Sequence, residues 1–121
     1  MKKILIIEDE KILADALSKK LIKSGFKIAL AYNGQEGLEK VKLETPDLIL
    51  LDIVMPVMDG LTMLKELRKF SDVPVIILTN LSDSKKLSEA LAAGSYDYLV
   101  KADYSMEDVV KKINQVLKHN S

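Results

Sequence analysis

Residues 48–52 are Leu48-Ile49-Leu50-Leu51-Asp52, a run of four apolar side chains that ends in a carboxylate. A strand with one face in water alternates apolar and polar residues, whereas a continuous apolar run is typical of a strand buried on both faces. Parallel sheets that carry helices on both sides contain such strands. The run therefore indicates an inner strand of a parallel sheet, with Asp52 at its carboxyl end.

The same kind of apolar run recurs along the chain, and segments of helical periodicity separate the runs. The other runs are Ile4–Ile7, Ile28–Ala31, Val75–Leu78 and Tyr98–Val100. Apolar side chains recur at helical spacing at Leu13, Ala16, Leu17 and Leu21, at Leu61, Leu64 and Leu67, at Leu87, Ala90 and Leu91, and at Val109, Val110, Ile113, Val116 and Leu117. Roughly five strands in alternation with as many helices predict an α/β fold with a doubly wound parallel sheet. Because the sequence contains no linker or repeat, we expect one domain over residues 1–121.

Several helix boundaries are marked by local chemistry. Ser105 and Asp108 have the spacing of a capping box at the start of the last helix. Gly25 and Gly94 are placed to end the first and fourth helices. The segment 33–44 is the weakest of the predicted helices, because two glycines lower its helix propensity.

The composition excludes several classes of function. The chain has no cysteine, which rules out disulfides, thiolate zinc sites and cysteine nucleophiles. Hydrophobic residues make up 48% of the 121 residues and charged residues 30%, a balance typical of a folded soluble domain. Lys plus Arg and Asp plus Glu both number 18, and this lack of a basic excess argues against direct binding of nucleic acid.

The sequence shows no sign of a membrane segment or of secretion. No apolar run approaches the ~18 residues that a spanning helix needs. The run Ile4–Ile7 ends at once in Glu8-Asp9-Glu10, which a signal peptide would not tolerate, and no cleavage site of small residues follows. We therefore expect a cytoplasmic protein, and the absence of cysteine fits that compartment.

Polar residues with distinct chemistry follow four of the predicted strands. They are Glu8 and Asp9 after the first, Asp52 at the end of the third, Thr79 after the fourth and Lys101 after the fifth. Ligands of open parallel sheets bind at this carboxyl edge. If the first and third strands are neighbours, the carboxylates repel one another unless a hard divalent cation such as Mg²⁺ neutralises them. A hydroxyl and an ammonium group beside such a cation suit phosphoryl transfer to a carboxylate.

A simpler interpretation exists for each of these residues taken alone. Acidic residues at strand–helix junctions often cap helices and favour their positive ends. A lone threonine or lysine carries almost no information. The functional interpretation therefore depends on the joint placement of the residues at four strand ends.

The strand-end residues also resemble those of a known family. The segment Asp52-Ile53-Val54-Met55-Pro56-Val57-Met58-Asp59-Gly60 resembles the phosphoacceptor loop of response regulator receiver domains. Glu8-Asp9 resembles the acidic metal pair of the family, Leu78-Thr79 its switch hydroxyl, and Asp97-Tyr98-Leu99-Val100-Lys101 its aromatic and lysine strand. The resemblance covers essentially the whole chain, with every element in the expected order.

The resemblance implies a fold and a mechanism. The family has the flavodoxin-like fold with five parallel strands in the order 2-1-3-4-5, for which receiver domains are a standard example. Asp52 is then the residue that is phosphorylated. The Mg²⁺ ligands implied are Asp9, Asp52 and the backbone carbonyl of Val54, with Glu8 acting largely through water. Thr79 and Lys101 hold the phosphoryl group.

The resemblance also implies partners and a conformational switch. A histidine kinase or a histidine phosphotransfer protein supplies the phosphoryl group. Phosphorylation favours inward positions of Thr79 and Tyr98, and a downstream protein then binds the surface of the fourth helix, fifth strand and fifth helix. Such a domain is a phosphoacceptor rather than an enzyme for small substrates. The family also includes members that form homodimers on activation.

The sequence departs from the family pattern beside the site. Ala102 stands where the family usually has proline after a cis peptide, and a cis bond before a non-proline residue costs about 2.5–4 kcal/mol. We therefore predict a trans peptide after Lys101. Asn80 stands where a small residue is usual, and it either narrows access to Asp52 or donates a hydrogen bond to the phosphoryl group. Val54 cannot orient an attacking water, so we expect a long-lived phosphoryl state.

Three other functions fit the fold class. A hydrolase with an aspartyl phosphate needs a second acid near residue 54, where this chain has valine, and usually a cap domain. A flavodoxin needs a phosphate loop of Ser, Thr and Gly after the first strand, where this chain has Glu8-Asp9-Glu10. An interaction module that works without phosphorylation remains open because of Asn80 and Ala102. His119, the single histidine, is interpreted as a solvated tail residue.

Overall fold

Strands and helices alternate along the chain. The computed structural model describes residues 1–53, 58–79, 84–100 and 105–119. The strands are β1 Lys3–Ile7, β2 Lys27–Ala31, β3 Leu48–Asp52, β4 Val75–Thr79 and β5 Asp97–Val100. The helices are α1 Lys11–Lys23, α2 Gly34–Glu44, α3 Gly60–Leu67, α4 Ser84–Ala92 and α5 Met106–His119. Each predicted apolar run is a strand, and the predicted alternation is confirmed.

All five strands pair in parallel in one sheet, in the order β2-β1-β3-β4-β5. The order implied by the family resemblance, and with it the doubly wound flavodoxin-like fold, is confirmed. Ile7 pairs with Leu51, and Asp52 pairs with Leu78. This register brings the carboxyl ends of β1, β3 and β4 to the same edge of the sheet.

The central strand β3 divides the interior into two cores. All five of its residues are buried, as its apolar run predicts. Leu50 lies in a core with side chains of α1 and α5, among them Leu17 and Ile113. Leu51 points the other way, into a core with side chains of α2, α3 and α4. Because side chains alternate along a strand, one short segment holds both helical layers in place.

The predicted apolar stripes of two helices need correction. In α1 the buried residues are Ala14, Leu17 and Leu21, whereas Ala16 is exposed. Spacings of three and four residues keep one line of the helix against the sheet, and Ala16 lies about 100° away from Leu17 around the axis. In α4, Ala90 is buried but Leu91 is 42% exposed, for the same reason.

The predicted helix boundaries are confirmed. The Ser105 backbone N–H donates to Oδ2 of Asp108 at 2.9 Å, and the Asp108 N–H donates to Oγ of Ser105 at 3.2 Å, which is the reciprocal capping box. Gly25 and Gly94 follow α1 and α4 with φ angles of +97° and +107°. Among the described residues, no helix has the length and apolar character needed to cross a bilayer.

The helix with the weakest prediction, α2, is well formed because its first turn is capped on two sides. Oδ1 of Asn33 accepts a hydrogen bond from the Glu36 N–H at 2.9 Å. The Glu36 carboxylate in turn accepts from the Tyr32 N–H at 3.3 Å and from the Asn33 side chain at 3.1 Å. Gly37 also permits a close approach, since a Cβ there would lie 2.5 Å from Cδ1 of Ile7. The helix therefore forms against its intrinsic propensity.

Candidate metal centre

Three carboxylates converge at the carboxyl edge of the sheet, just beyond β1 and at the end of β3. Because Ile7 and Leu51 are paired, the next residues, Glu8 just beyond β1 and Asp52 at the end of β3, lie side by side. The Glu8 N–H donates to the Ala31 carbonyl at 3.0 Å, which continues the β1–β2 pairing by one residue. The position of the acidic cluster thus follows directly from strand register.

Glu8, Asp9 and Asp52 each offer a carboxylate oxygen, and these oxygens lie within 4.8 Å of one another. Glu8 is fully buried and Asp52 is 4% exposed. Two unit charges at this distance repel by about 3–4 kcal/mol at an effective dielectric constant of about 20. A set of oxygen donors with excess negative charge is the ligand type that Mg²⁺ prefers. The donor set therefore fits a hard divalent cation.

Helix capping does not account for this arrangement. The N-cap residue of α1 is Glu10, and its side chain makes no capping hydrogen bond. One oxygen of Glu8 accepts a hydrogen bond from the Glu10 N–H at 3.3 Å, which is long for a bond of this type. Turn formation before α1 thus explains little of the placement of Glu8.

Residues 53 and 60 make a close backbone contact that the sequence alone does not reveal. The Gly60 N–H donates to the Ile53 carbonyl at 3.0 Å. A Cβ on Gly60 would lie 2.6 Å from Cα of Ile53 and would also overlap the Asp52 carbonyl. Asp59 caps α3 by accepting from the Thr62 N–H at 2.8 Å. An aspartate and a glycine directly before a helical stripe are the only local signal of this contact.

Other residues of the predicted site are described only in part. Thr79 is the last residue of β4 and pairs with Val100 of β5, and Lys101 follows in the chain. The side chain of Thr79 lies outside the described part of the structure. Val54, Asn80, Lys101, Ala102 and the peptide after Lys101 also lie outside it, so the predictions made for them stay predictions.

Residues of β5 and α5 are exposed to different degrees. Tyr98 of β5 is 38% exposed. Lys112 of α5 binds Asp97 of β5 at 2.8 Å, so it is part of an ion pair rather than a free surface lysine. His119 is exposed, but it is the last residue of α5 rather than part of an irregular tail.

These observations define the class of the protein: it is a doubly wound α/β domain with an acidic cluster at the carboxyl edge of its sheet. The chain belongs to the response regulator receiver domain family, whose family model matches residues 4–114.

Several known proteins similar to the chain are named as regulators. It is 40% identical over 116 residues, 96% of its length, to a protein of Porphyridium aerugineum named probable transcriptional regulator ycf27, 48% of which is covered. It is 36% identical over 98% of its length to response regulator ArlR of Staphylococcus saprophyticus, 53% of which is covered. The chain thus spans about half the length of these curated relatives. A two-component response regulator from Clostridium difficile has a similar crystal structure, with a TM-score of 0.94, 33% identity and both chains fully covered.

Proposed function

We propose that this domain, over residues 1–121, accepts a phosphoryl group on Asp52 in a Mg²⁺-dependent reaction and so acts as a switch in two-component signalling. The observation that carries the proposal is the convergence of three carboxylates within 4.8 Å, two of them buried. Burial of like charges close together destabilises the folded state unless an opposite charge compensates them. Membership of the receiver family supports phosphoryl transfer over other reactions that need such a cluster.

The proposed metal ligands are Asp9, Asp52 and the backbone carbonyl of Val54, with Glu8 acting largely through water. When bound, Mg²⁺ supplies the positive charge that balances the carboxylates and the phosphoryl oxygens. Glu8 is the most deeply buried of the acids and lies closest to the β1–β2 pairing. The Glu8 side chain therefore has little conformational freedom, which suits a group that orients the other metal ligands.

In the proposed reaction, a carboxylate oxygen of Asp52 attacks the phosphorus of a phosphohistidine. A new P–O bond forms as the P–N bond breaks, and the electron pair of that bond goes to the imidazole nitrogen. The ring leaves as neutral imidazole, either because its other nitrogen already carries a proton or because the freed nitrogen takes one from water. The product is an acyl phosphate on Asp52. We propose that Thr79 donates a hydrogen bond to a phosphoryl oxygen and that Lys101 pairs with another, since such transfers depend mainly on positioning and charge.

The proposed partners are a histidine kinase or a histidine phosphotransfer protein and an unidentified downstream protein. Phosphorylation shifts Thr79 and Tyr98 inward and thereby changes the surface formed by α4, β5 and α5. In the structure this surface exposes large apolar side chains, which suit a protein contact, at Leu91, Tyr96 and Tyr98. A second copy of the domain is one candidate for that contact.

Two further features belong to the proposal. The formal charge is zero, so we infer that this domain does not bind nucleic acid directly, although one relative is named a probable transcriptional regulator. We also infer that it is a cytoplasmic phosphoacceptor and not an enzyme for small substrates.

The proposal is tested by incubating the protein with acetyl phosphate and Mg²⁺ and measuring its intact mass. We expect the mass of one added phosphoryl group, and we expect none in Asp52→Asn or when a chelator removes the metal. Asp15→Asn is the matched control, since Asp15 is an exposed aspartate of α1. Phosphorylation that persists in Asp52→Asn, or that needs no divalent cation, contradicts the proposal.

A further inference from the structure

The first turn of α2 is attached to the segment that follows Asp52. The Gly34 N–H donates to the Met58 carbonyl at 3.2 Å. Gly34 is the first residue of α2, and the first N–H groups of a helix have no partner within the helix. Gly34 is buried, and its N–H binds the backbone carbonyl of Met58 instead of a partner within the helix.

The contact requires glycine at position 34. A Cβ there would lie 2.6 Å from the Met58 carbonyl oxygen and 3.0 Å from both Cβ and Cγ of Met58. The nearest of these atoms is backbone, so it cannot move aside by a side-chain rotation. An alanine at position 34 would have to displace the segment or the helix.

Met58 lies between Ile53 and Gly60 in the chain, and these two residues are joined by a backbone hydrogen bond. The Gly60 N–H binds the Ile53 carbonyl, directly after Asp52. The bond from Gly34 holds the same segment from the side, through a different helix. The turn that provides it is stiff, because Asn33 and Glu36 cap it reciprocally. The backbone next to Asp52 is thus fixed at residues 53 and 60 and again at residue 58.

We propose that Gly34 is a positioning residue for the acidic site. Its N–H and its lack of a side chain hold Met58, and the Gly60–Ile53 hydrogen bond links that part of the chain to the end of β3, where Asp52 is placed to bind the divalent cation. This inference rests on the proposed function, since it assigns Gly34 a role in the same site. When groups that hold metal ligands without touching the metal are altered, metal affinity or activity falls by roughly 10–100-fold.

If Gly34 mattered only for the stability of α2, its replacement by alanine would not weaken cation binding. Alanine is the better helix former by about 1 kcal/mol, so Gly34→Ala would leave α2 intact or stabilise it if only the helix mattered. We expect instead that the variant folds but binds Mn²⁺, used as a paramagnetic substitute for Mg²⁺, roughly tenfold more weakly. Electron paramagnetic resonance of free Mn²⁺ measures this affinity.

The matched control is Gln35→Ala, the same product residue at an exposed position of the same turn. We expect its Mn²⁺ affinity to stay within about twofold of the native value. We also expect phosphorylation by acetyl phosphate to slow in Gly34→Ala and not in Gln35→Ala. Native Mn²⁺ affinity in a folded Gly34→Ala variant overturns the inference, whatever the phosphorylation assay gives. If the native protein binds Mn²⁺ but is not phosphorylated, the proposed function fails while the comparison of affinities still decides the role of Gly34.

A measurement on the native protein covers the case in which Gly34→Ala does not fold. Amide hydrogen exchange should show protection of the Gly34 N–H, unusual for the first residue of a helix, and stronger protection when Mg²⁺ is added. An unprotected Gly34 amide that does not respond to Mg²⁺ overturns the inference.

Discussion

At the scale of single residues, few polar side chains are buried in the described part of the chain. In the described ranges, the buried polar and charged side chains are Glu8, Asp52 and Ser95. The two carboxylates belong to the proposed metal site, whereas Ser95 lies just before β5, far along the chain from either. Its hydroxyl is the one buried side-chain polar atom in the described part of the chain without a hydrogen-bond partner.

We predict that Ser95→Ala stabilises the protein. A buried hydroxyl without a partner loses its hydration and gains nothing in return, a penalty of about 1–3 kcal/mol. Alanine removes that penalty and leaves almost the same volume, so the free energy of unfolding in urea should rise by about 1 kcal/mol. Ser88→Ala, at an exposed position of α4, is the control and should change little. A loss of stability in Ser95→Ala would show that the hydroxyl has a partner.

The acidic residues of the site were predictable from the sequence, but their supports were not. Parallel strands end at one edge, so a carboxylate after each of two apolar runs indicates Glu8, Asp9 and Asp52 without knowledge of contacts. Gly34 is different. In the sequence it only lowers helix propensity, and its contact with Met58 exists only after α2 has packed beside the segment that follows Asp52.

At the scale of elements, the start of α5 depends on ionised Asp108. The Ser105 backbone N–H, and secondarily its hydroxyl, lower the pKa of Asp108 below its usual value. A carboxyl group with a lower pKa in the folded state stabilises that state fully above its unfolded pKa, about 3.9. The contribution disappears as the pH falls through the folded pKa.

We therefore predict that Asp108→Ala lowers the urea midpoint at pH 7 and that the difference from the native protein closes in acid. The midpoints should converge as the pH falls through the folded-state pKa of Asp108, which lies below the unfolded value, because Asp108 is then protonated in both states. Gln115→Ala, an exposed uncharged position on α5, should show a difference that does not change with pH. A constant gap for Asp108→Ala down to acid pH would contradict the role assigned to its charge.

The existence of the helices was more predictable than their inward faces. Capping residues and glycines mark the ends of α1, α4 and α5 by local chemistry, so those boundaries follow from a few residues. The inward face depends on the exact rotation of the helix on the sheet. The predicted stripe of α1 included Ala16, which is exposed, and left out Ala14, which is buried.

At the scale of the whole molecule, the acidic residues of the site follow β1 and end β3, more than 40 positions apart in the sequence. The unfolded chain does not hold them together, so a cation that binds here favours the folded state. The strand order itself was predictable only from the family resemblance. Every apolar run looks equally buried, and nothing in the runs says which strands are neighbours.

We predict that Mg²⁺ raises the free energy of unfolding and that chelation removes the gain. At a concentration roughly ten times the dissociation constant, the gain should be about 1.4 kcal/mol. Asp52→Asn should lose most of it, and sodium chloride at equal ionic strength should not reproduce it. Stabilisation of Asp52→Asn equal to that of the native protein would place the cation elsewhere.

The pairing of Ile7 with Leu51 has a consequence for folding. A slip of one residue between parallel strands turns every side chain of the slipped strand to the opposite face. Such a slip between β1 and β3 would separate Glu8 from Asp52 while leaving a compact, apolar sheet. The number of cations bound per molecule in a refolded sample therefore measures the fraction of molecules with native strand pairing. Measurements of compactness and helix content do not distinguish native from slipped pairing.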